Sequence, residues 1–316
     1  MRIRPQELHT TYSIAARDPE SGQFGVAVQT HQMCVGSAVP WLEAGVGAVA
    51  TQSLTNVHFG PLGLRLLREG VPAEKTLAAL IASDSEPALR QAAVVDRQGR
   101  CAAWTGERCI TYAGHYTGEG FSVQANMMLS DKVVAAMAKA YIASKEDFAG
   151  KLVETLQAAQ RESGDIRGKQ SAALKIVSGD VYTSKGEAEV RAVYDLRVDE
   201  SEQPLLELGR LVRLRRAQLL SDKGDDLLAV GEKEAALEIW ARARAMAPEL
   251  EELVYWQALV LADVPGDIPA AAALLRDMLD GTENEKDWVE LLRRLEPTGI
   301  LEREGAAQEL LEALGA

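Results

Sequence analysis

Two short runs near the N-terminus constrain the fold more than any other stretch of the sequence. Residues 11–18 and 24–30 read TYSIAARD and FGVAVQT, and the segment between them contains proline, serine and glycine. β-Branched and aromatic residues on both sides of such a segment predict two antiparallel strands joined by a turn. Because side chains alternate along a strand, Thr11 and Ser13 are expected to share one face. The hairpin therefore begins with two hydroxyl groups on the same side.

The pattern that follows alternates strands with pairs of helices. Strands are expected over 35–51, 92–96, 100–104, 121–128, 171–177 and 192–198, and helices over 61–68, 72–81, 131–144 and 148–161. Groups of strands separated by helix pairs favour stacked sheets with helices outside over alternating β-α units. We therefore predict an α+β fold, a four-layer αββα sandwich. His58 and His115 fall in predicted turns, where histidines are usually surface residues.

From about Leu205 the composition changes to leucine, alanine, glutamate and arginine with continuous helical spacing. Small, apolar and turn residues recur there as in the tetratricopeptide repeat of about 34 residues. They are Gly224, Leu227, Gly231, Ala236, Trp240, Ala243 and Pro248, then Ala258, Gly266, Ala271, Leu275 and Met278. We predict a leader over 1–10, a first domain over 11–202 and an all-α, tetratricopeptide-like domain over 203–316. The helical domain can stabilise the first domain by packing against it, mediate dimerisation, or capture a peptide. We favour the first two roles.

Composition and spacing argue against several classes of function. The net charge is −13 without a basic stripe, which argues against a nucleic-acid partner. Three scattered cysteines and four well-separated histidines show no ligand spacing, so we expect no metal and no cofactor. No apolar run approaches the roughly 18 residues that a membrane helix needs. We expect a soluble cytoplasmic protein that forms a homodimer, since closed symmetric oligomers are common.

The two hydroxyl residues suggest a specific chemistry. A threonine at the N-terminus of a chain can be nucleophile and base at once, because its α-amine has a reference pKa of about 7.7–8.0. Thr11 is the preferred nucleophile, and Ser13 can line the same cleft. The alternative is that Thr11 merely begins a strand, as threonine often does.

Longer stretches of residues 11–200 resemble a known family. They include YSIAARDP from Tyr12, GVAV from Gly25, AGVGAVATQ from Ala44, GEGFSVQANM from Gly118, RGKQSAAL from Arg167 and DLRVD from Asp195. These segments are similar to those of the bacterial and archaeal family DUF1028. The resemblance implies a fold of the N-terminal nucleophile (Ntn) hydrolase type.

The N-terminus departs from the pattern of similar family members. In those members the threonine matching Thr11 directly follows the initiator methionine, whereas ten residues precede it here. The residue before it is Thr10, not the glycine that is common at Ntn self-cleavage sites. An unprocessed Thr11 has no free amine, and Ser13 and His31 would then matter more than Thr11.

Other polar residues complete the candidate site. His31 follows the second strand, where an imidazole can act as a base. Asn126 at a strand end can donate to a developing oxyanion, and Ser53 and Asn56 can contact a substrate carbonyl. The loop with Arg167 and Gln170 can bind a substrate carboxylate. For each of these residues the alternative is an ordinary hydrogen-bond partner of a turn, a strand end or a solvated loop.

These observations lead to two hypotheses about function. The first is hydrolysis of a small amide or peptide-like substrate through an acyl-enzyme on Thr11, with Asn126 or backbone amides stabilising the oxyanion. The second is a non-catalytic Ntn-like scaffold whose region 203–316 binds a protein partner or mediates oligomerisation.

Overall fold

The two N-terminal runs form the hairpin that their pattern predicts. A computed structural model describes residues 8–9, 11–180 and 192–316 of the chain. After the short strand β1 (Leu8–His9), strand β2 (Thr11–Arg17) pairs antiparallel with β3 (Phe24–Thr30). Both hairpin strands are buried over nearly their whole length. The hairpin therefore lies in the interior of the fold.

The described strands form two antiparallel sheets. Sheet I contains β1, β4 (Pro40–Glu43), β5 (Gly47–Leu54), β6 (Arg90–Asp96) and β7 (Cys101–Thr105). Its order is β1-β5-β6-β7, and β4 pairs with β5 beside β1. Sheet II contains β2, β3, β8 (Gly114–Gly118), β9 (Phe121–Ala125), β10 (Ser171–Val177) and β11 (Tyr194–Val198), in the order β11-β10-β3-β2-β9-β8. The hairpin thus occupies the centre of sheet II.

Each sheet has one face on the other sheet and one face on a pair of helices. Helices α1 (Phe59–Arg68) and α2 (Ala73–Ala82) pack on sheet I, while α3 (Val133–Ala143) and α4 (Phe148–Arg161) pack on sheet II. Small side chains such as Ala15, Ala50 and Ala93 meet between the sheets, where the core is apolar. The layers therefore run helices, sheet I, sheet II, helices, because each amphipathic element buries its apolar face.

Three details differ from the sequence prediction. The stretch 35–51 is not continuous strand: a 3-10 turn over Val35–Ser37 precedes β4, and β5 begins only at Gly47. The break follows from Gly45, whose φ of 68° forms the turn between β4 and β5. His115 lies in β8, not in a turn. Helix α1 also begins earlier than expected, at Phe59. Of the predicted leader, residues 1–7 and 10 lie outside the described residues.

The chain divides into two compact units between Val212 and Arg213. After β11 the chain is helical: α5 (Pro204–Ala229), α6 (Lys233–Met246), α7 (Glu251–Asp263), α8 (Ile268–Leu279), α9 (Glu285–Leu295) and α10 (Ala306–Leu314). Within the described ranges, no helix is both long enough and apolar enough to cross a membrane.

A tryptophan organises the core of the second unit. Trp240 on α6 is fully buried, and its indole N–H lies 3.0 Å from Asp225 Oδ1. The ring packs against α5 at Gly224, where an added Cβ would lie 2.3 Å from Trp240 Cδ1. Glycine is therefore required at this helical position because any side chain would overlap the indole.

Substitution of glycine on α5 gives a paired test of this packing. Gly224→Ala should lower the free energy of unfolding by about 1–3 kcal/mol, since overpacking forces the ring or helix to move. Gly209→Ala, on the same helix with open space around the new Cβ, should raise it by up to about 1 kcal/mol through helix propensity. Chemical denaturation followed by circular dichroism measures both. Equal stability of Gly224→Ala and the parent protein would contradict the described contact.

Candidate functional site

The layer between the sheets is apolar at one end and polar at the other. At the polar end, side chains of both sheets are at most 1% exposed: Thr11, Ser13, Gln52, Gln91, Gln124 and Asn126. They share this face because residues directly opposite in a ladder lie on the same side, as Ser13 does with Gln124 and Gln52 with Gln91. Burial of amides and hydroxyls is costly unless they are hydrogen bonded. The bonds of this layer therefore define the site.

Ser13 is fully engaged in this layer. Its Oγ donates to Gln52 Oε1 at 2.5 Å and accepts from Gln124 Nε2 at 2.6 Å. Gln124 is held in turn by Ser122, whose Oγ donates to Gln124 Oε1 at 3.0 Å. Because the single hydroxyl proton of Ser13 is already donated, this serine joins the two sheets and is poorly placed to act as a nucleophile.

The backbone carbonyl of Thr11 collects several donors. Gln52 Nε2 lies 3.1 Å from this oxygen and Asn126 Nδ2 lies 3.5 Å from it. The backbone N–H of Asn126 also donates to it, at 3.1 Å. Gln91 Oε1 accepts from both amide nitrogens, at 2.7 Å from Gln52 and 2.9 Å from Asn126. Gln91 therefore orients the two side chains that contact Thr11.

The hydroxyl of Thr11 differs from its surroundings. Thr11 Oγ1 is buried and has no hydrogen-bond partner among the described residues, and the same holds for Asn126 Oδ1. A buried polar group without a partner costs about 1–3 kcal/mol, so such groups are rare in folded proteins. An unengaged hydroxyl beside engaged amides is the property expected of a group that reacts or binds.

Backbone strain marks the same place. Ser53 and Met127 have φ angles of 71° and 56°, and they directly follow Gln52 and Asn126. Non-glycine residues in the left-handed region cost free energy and cluster at functional sites. Both amide side chains next to Thr11 are thus presented by strained backbone.

A charged cluster adjoins Thr11 on the other side. Thr30 lies opposite Thr11 in the ladder, and its Oγ1 is 3.4 Å from Arg167 Nη2. The same guanidinium donates to the buried carboxylate of Asp165, at 2.9 Å from Nη2 and 3.2 Å from Nε. Arg167 therefore lies near the site, but its guanidinium group is already hydrogen bonded to Asp165.

Two other predicted residues belong to this cluster through their backbones. The N–H of His31 donates to Asp165 Oδ2 at 3.1 Å, while the side chain of His31 is exposed. The N–H of Gln170 donates to the carbonyl of Thr30 at 2.9 Å. The structure thus brings His31, Arg167 and Gln170 together around Asp165 and Thr30.

Asn56 is held in the turn before α1. Its Nδ2 lies 2.7 Å from Asp84 Oδ2, and its Oδ1 accepts from the N–H of His58 at 3.1 Å. Burial alone would raise the pKa of Asp84, but hydrogen bonds from Arg90 and Asn56 hold that pKa below its ordinary value. Asn56 therefore contributes to an ion-paired turn.

Ser53 lies at the end of β5 and is 4% exposed. Burial raises the pKa of the nearby Cys109 thiol, and Ser53 opposes part of that rise. Ser53 thus directly follows Gln52 in the sequence and lies near a cysteine thiol.

Sequence reasoning missed Gln91, Asp165 and the strand position of His115. Gln91 directly precedes Ala92, the first residue of the predicted strand, and a strand extended by one residue at its start would place Gln91 opposite Gln52. Asp165 precedes Arg167 by two residues, a spacing that was open to an ion-pair interpretation. Among the residues that the structure describes, no group of three or more His, Cys, Asp or Glu side chains is placed to hold a metal ion.

Two buried glutamines test the importance of the polar layer. Gln91→Leu should lower the free energy of unfolding by about 2 kcal/mol or more, because it leaves several buried groups unpaired. Gln29 is equally buried, but in the described part of the chain neither of its amide atoms has a partner. Gln29→Leu should therefore be neutral or stabilising. Denaturant titration of both variants measures the contrast, and a Gln91→Leu protein as stable as Gln29→Leu would contradict it.

Comparison with known proteins covers the unit that contains this site. The family model described as "Family of unknown function (DUF1028)" matches residues 11–208. The crystal structure of protein SPO2555 from Silicibacter pomeroyi, described with the family model DUF1028, is 30% identical with a TM-score of 0.57. That match covers 64% of this chain and 88% of the other. No curated protein matches the chain. Neither description states an activity.

Proposed function

Because this chain belongs to the DUF1028 family and buries between its sheets a threonine hydroxyl that has no partner among the described residues, we propose that it is an amidohydrolase of the Ntn type. The nucleophile is Thr11, and the substrates are small amides or peptide-like compounds. The proposal includes an Ntn-type αββα sandwich for the first unit, which the layer order supports. The observation that carries it is the hydroxyl of Thr11, which has no partner in the described part of the chain and lies beside the oriented amides of Gln52 and Asn126.

The proposed reaction uses the hydroxyl and the α-amine of the same residue. The amine takes the hydroxyl proton as Thr11 Oγ1 attacks the substrate carbonyl, since an α-amine is partly neutral near pH 8. The tetrahedral intermediate then collapses, the proton passes to the leaving amine, and an ester remains on Thr11. Water hydrolyses this ester with the same amine as base.

Amide donors next to Thr11 are suited to the charge that develops on the substrate oxygen. Asn126 Nδ2 lies at the edge of hydrogen-bond distance from the Thr11 carbonyl, at 3.5 Å, and is held by Gln91. A fixed donor of this kind can stabilise an oxyanion without reorganisation. We assign this role to Asn126, while Gln52 fixes the backbone of the nucleophile.

The leader determines whether the amine exists. β1 pairs with β5, with His9 opposite Ser53, whereas Thr11 belongs to sheet II. His9 and Thr11 thus belong to different sheets, and in the intact chain the nitrogen of Thr11 is a peptide nitrogen. The proposed enzyme is active only after residues 1–10 are removed.

A second candidate function follows from the same leader and from the helical unit. With the leader retained, the first unit would be a non-catalytic scaffold, and residues 203–316 would bind a protein partner or a second copy in a homodimer. A tetratricopeptide-like fold is supported by the burial of Trp240, Ala258 and Ala271 at matching positions and by the left-handed Gly231 and Gly266.

Removal of the leader provides the activity test. A chain in which methionine directly precedes Thr11 should lose that methionine in the cell and hydrolyse members of a panel of small amides. Thr11→Ala in this background should reduce the rate by at least about 100-fold, because it removes the nucleophile. Gln29→Leu serves as the control and should retain most activity, because Gln29 lies opposite Tyr12 in the ladder and therefore on the other face of the hairpin from Thr11. Equal rates for Thr11→Ala and the parent chain would contradict the hydrolase and favour the scaffold.

A further inference from the structure

One histidine is hydrogen bonded into the polar layer from outside. His115 Nδ1 lies 2.8 Å from Thr105 Oγ1, and Gln91 Nε2 lies 2.9 Å from the same oxygen. An amide nitrogen can only donate, so Thr105 Oγ1 accepts the bond from Gln91. The hydroxyl proton of Thr105 is then available for the imidazole nitrogen.

Gln91 connects this pair to Thr11. Besides Thr105 Oγ1, the carbonyl oxygens of Ala125 and Gly114 lie 2.9 and 3.1 Å from its Nε2, so three acceptors share the two amide protons. These acceptors surround the amide nitrogen and turn Gln91 Oε1 toward the amides that contact Thr11. A change at Thr105 therefore acts directly on the side chain that orients the site.

We propose that His115 is a positioning residue. Its neutral Nε2–H tautomer accepts a hydrogen bond from the Thr105 hydroxyl at Nδ1, and this bond holds Gln91 in the orientation that Gln52 and Asn126 require. The role of His115 in catalysis rests on the proposed function, whereas its tautomer and its hydrogen bond do not depend on that function. Protonation of His115 would convert Nδ1 from acceptor to donor and break this arrangement.

The surroundings of His115 allow it to respond to solvent pH. It lines one cavity of about 480 Å³ beside the start of α3 and another of about 600 Å³ between α2 and β7. The titratable groups that line the cavities around it are Glu74, Cys101, Glu107, Cys109, Tyr112, Tyr116 and Asp131. His115 is exposed on one side, and its partial burial lowers the pKa of the imidazole, so the ring is mostly neutral near pH 7.

The stability of the folded protein should depend on the protonation of His115. Because the pKa of His115 is lowered in the folded state, the unfolded chain binds the proton first as the pH falls below about 6.5. The contribution of His115 to stability is therefore complete above that pH and decreases below it. The orientation of Gln91 is lost at a lower pH, where His115 of the folded protein takes up its proton.

Nuclear magnetic resonance of the full chain labelled with ¹⁵N in histidine and glutamine tests the proposal without a substrate. In the parent protein His115 should be the Nε2–H tautomer. Thr105→Val should raise the pKa of His115 by about 0.5–1 unit, because it removes one hydrogen bond to the neutral form. It should also shift the side-chain amide signals of Gln91 and Gln52. Thr105→Ser, which keeps the hydroxyl, should leave the pKa and these signals nearly unchanged.

A second pair of variants covers the case in which Thr105→Val does not fold. His115→Asn keeps an acceptor near the Nδ1 position and should preserve the glutamine signals, whereas His115→Phe should shift them. An Nδ1–H tautomer, a lowered pKa in Thr105→Val, or unchanged glutamine signals in both Thr105→Val and His115→Phe would overturn the inference. If the spectra show the expected tautomer and shifts but Thr11→Ala leaves amidase activity intact, the proposed function fails. The hydrogen bonds that connect His115, Thr105 and Gln91 would still be supported.

Discussion

The rest of the site depends on one hydrogen-bonded contact across the two sheets. Gln52 from sheet I reaches Ser13 and the carbonyl of Thr11 on sheet II. Because no water competes in a buried layer, each of these bonds is strong, and each partner left unpaired would be costly. The amide of Gln52 therefore fixes the relative position of the strands as well as the local side chains.

The same constraint explains why Thr11 stands out. Ser13, Gln91 and Gln124 all have hydrogen-bond partners in this layer. The hydroxyl of Thr11 has none among the described residues, and burying it unpaired costs free energy of folding. The strained backbone at Ser53 and Met127 adds to this cost. The apolar end of the layer and the helices outside it supply the stability that permits such a site. The apolar core and the proposed nucleophile thus lie at opposite ends of the same pair of sheets.

The sequence allowed much of this arrangement to be predicted. Alternation identified the hairpin and the shared face of Thr11 and Ser13, and helical spacing located the helix pairs, because these periodicities act within one element. The contacts of Gln91 with Gln52 and Asn126 could not be predicted in this way. They depend on strand register and on the distance between two sheets, which no local pattern specifies. The prediction of a turn at His115 is wrong, because Gly114 and Gly118 bound an edge strand here.

The central claim is that Thr11 acts through a free α-amine. The most direct measurement is the identity of the N-terminal residue in untagged chain purified from cells and shown to hydrolyse an amide, determined by intact mass and N-terminal sequencing. The account predicts that the active chain begins at Thr11, with residues 1–10 removed. An active chain that still carries these residues would contradict it, because the nitrogen of Thr11 would then remain in a peptide bond.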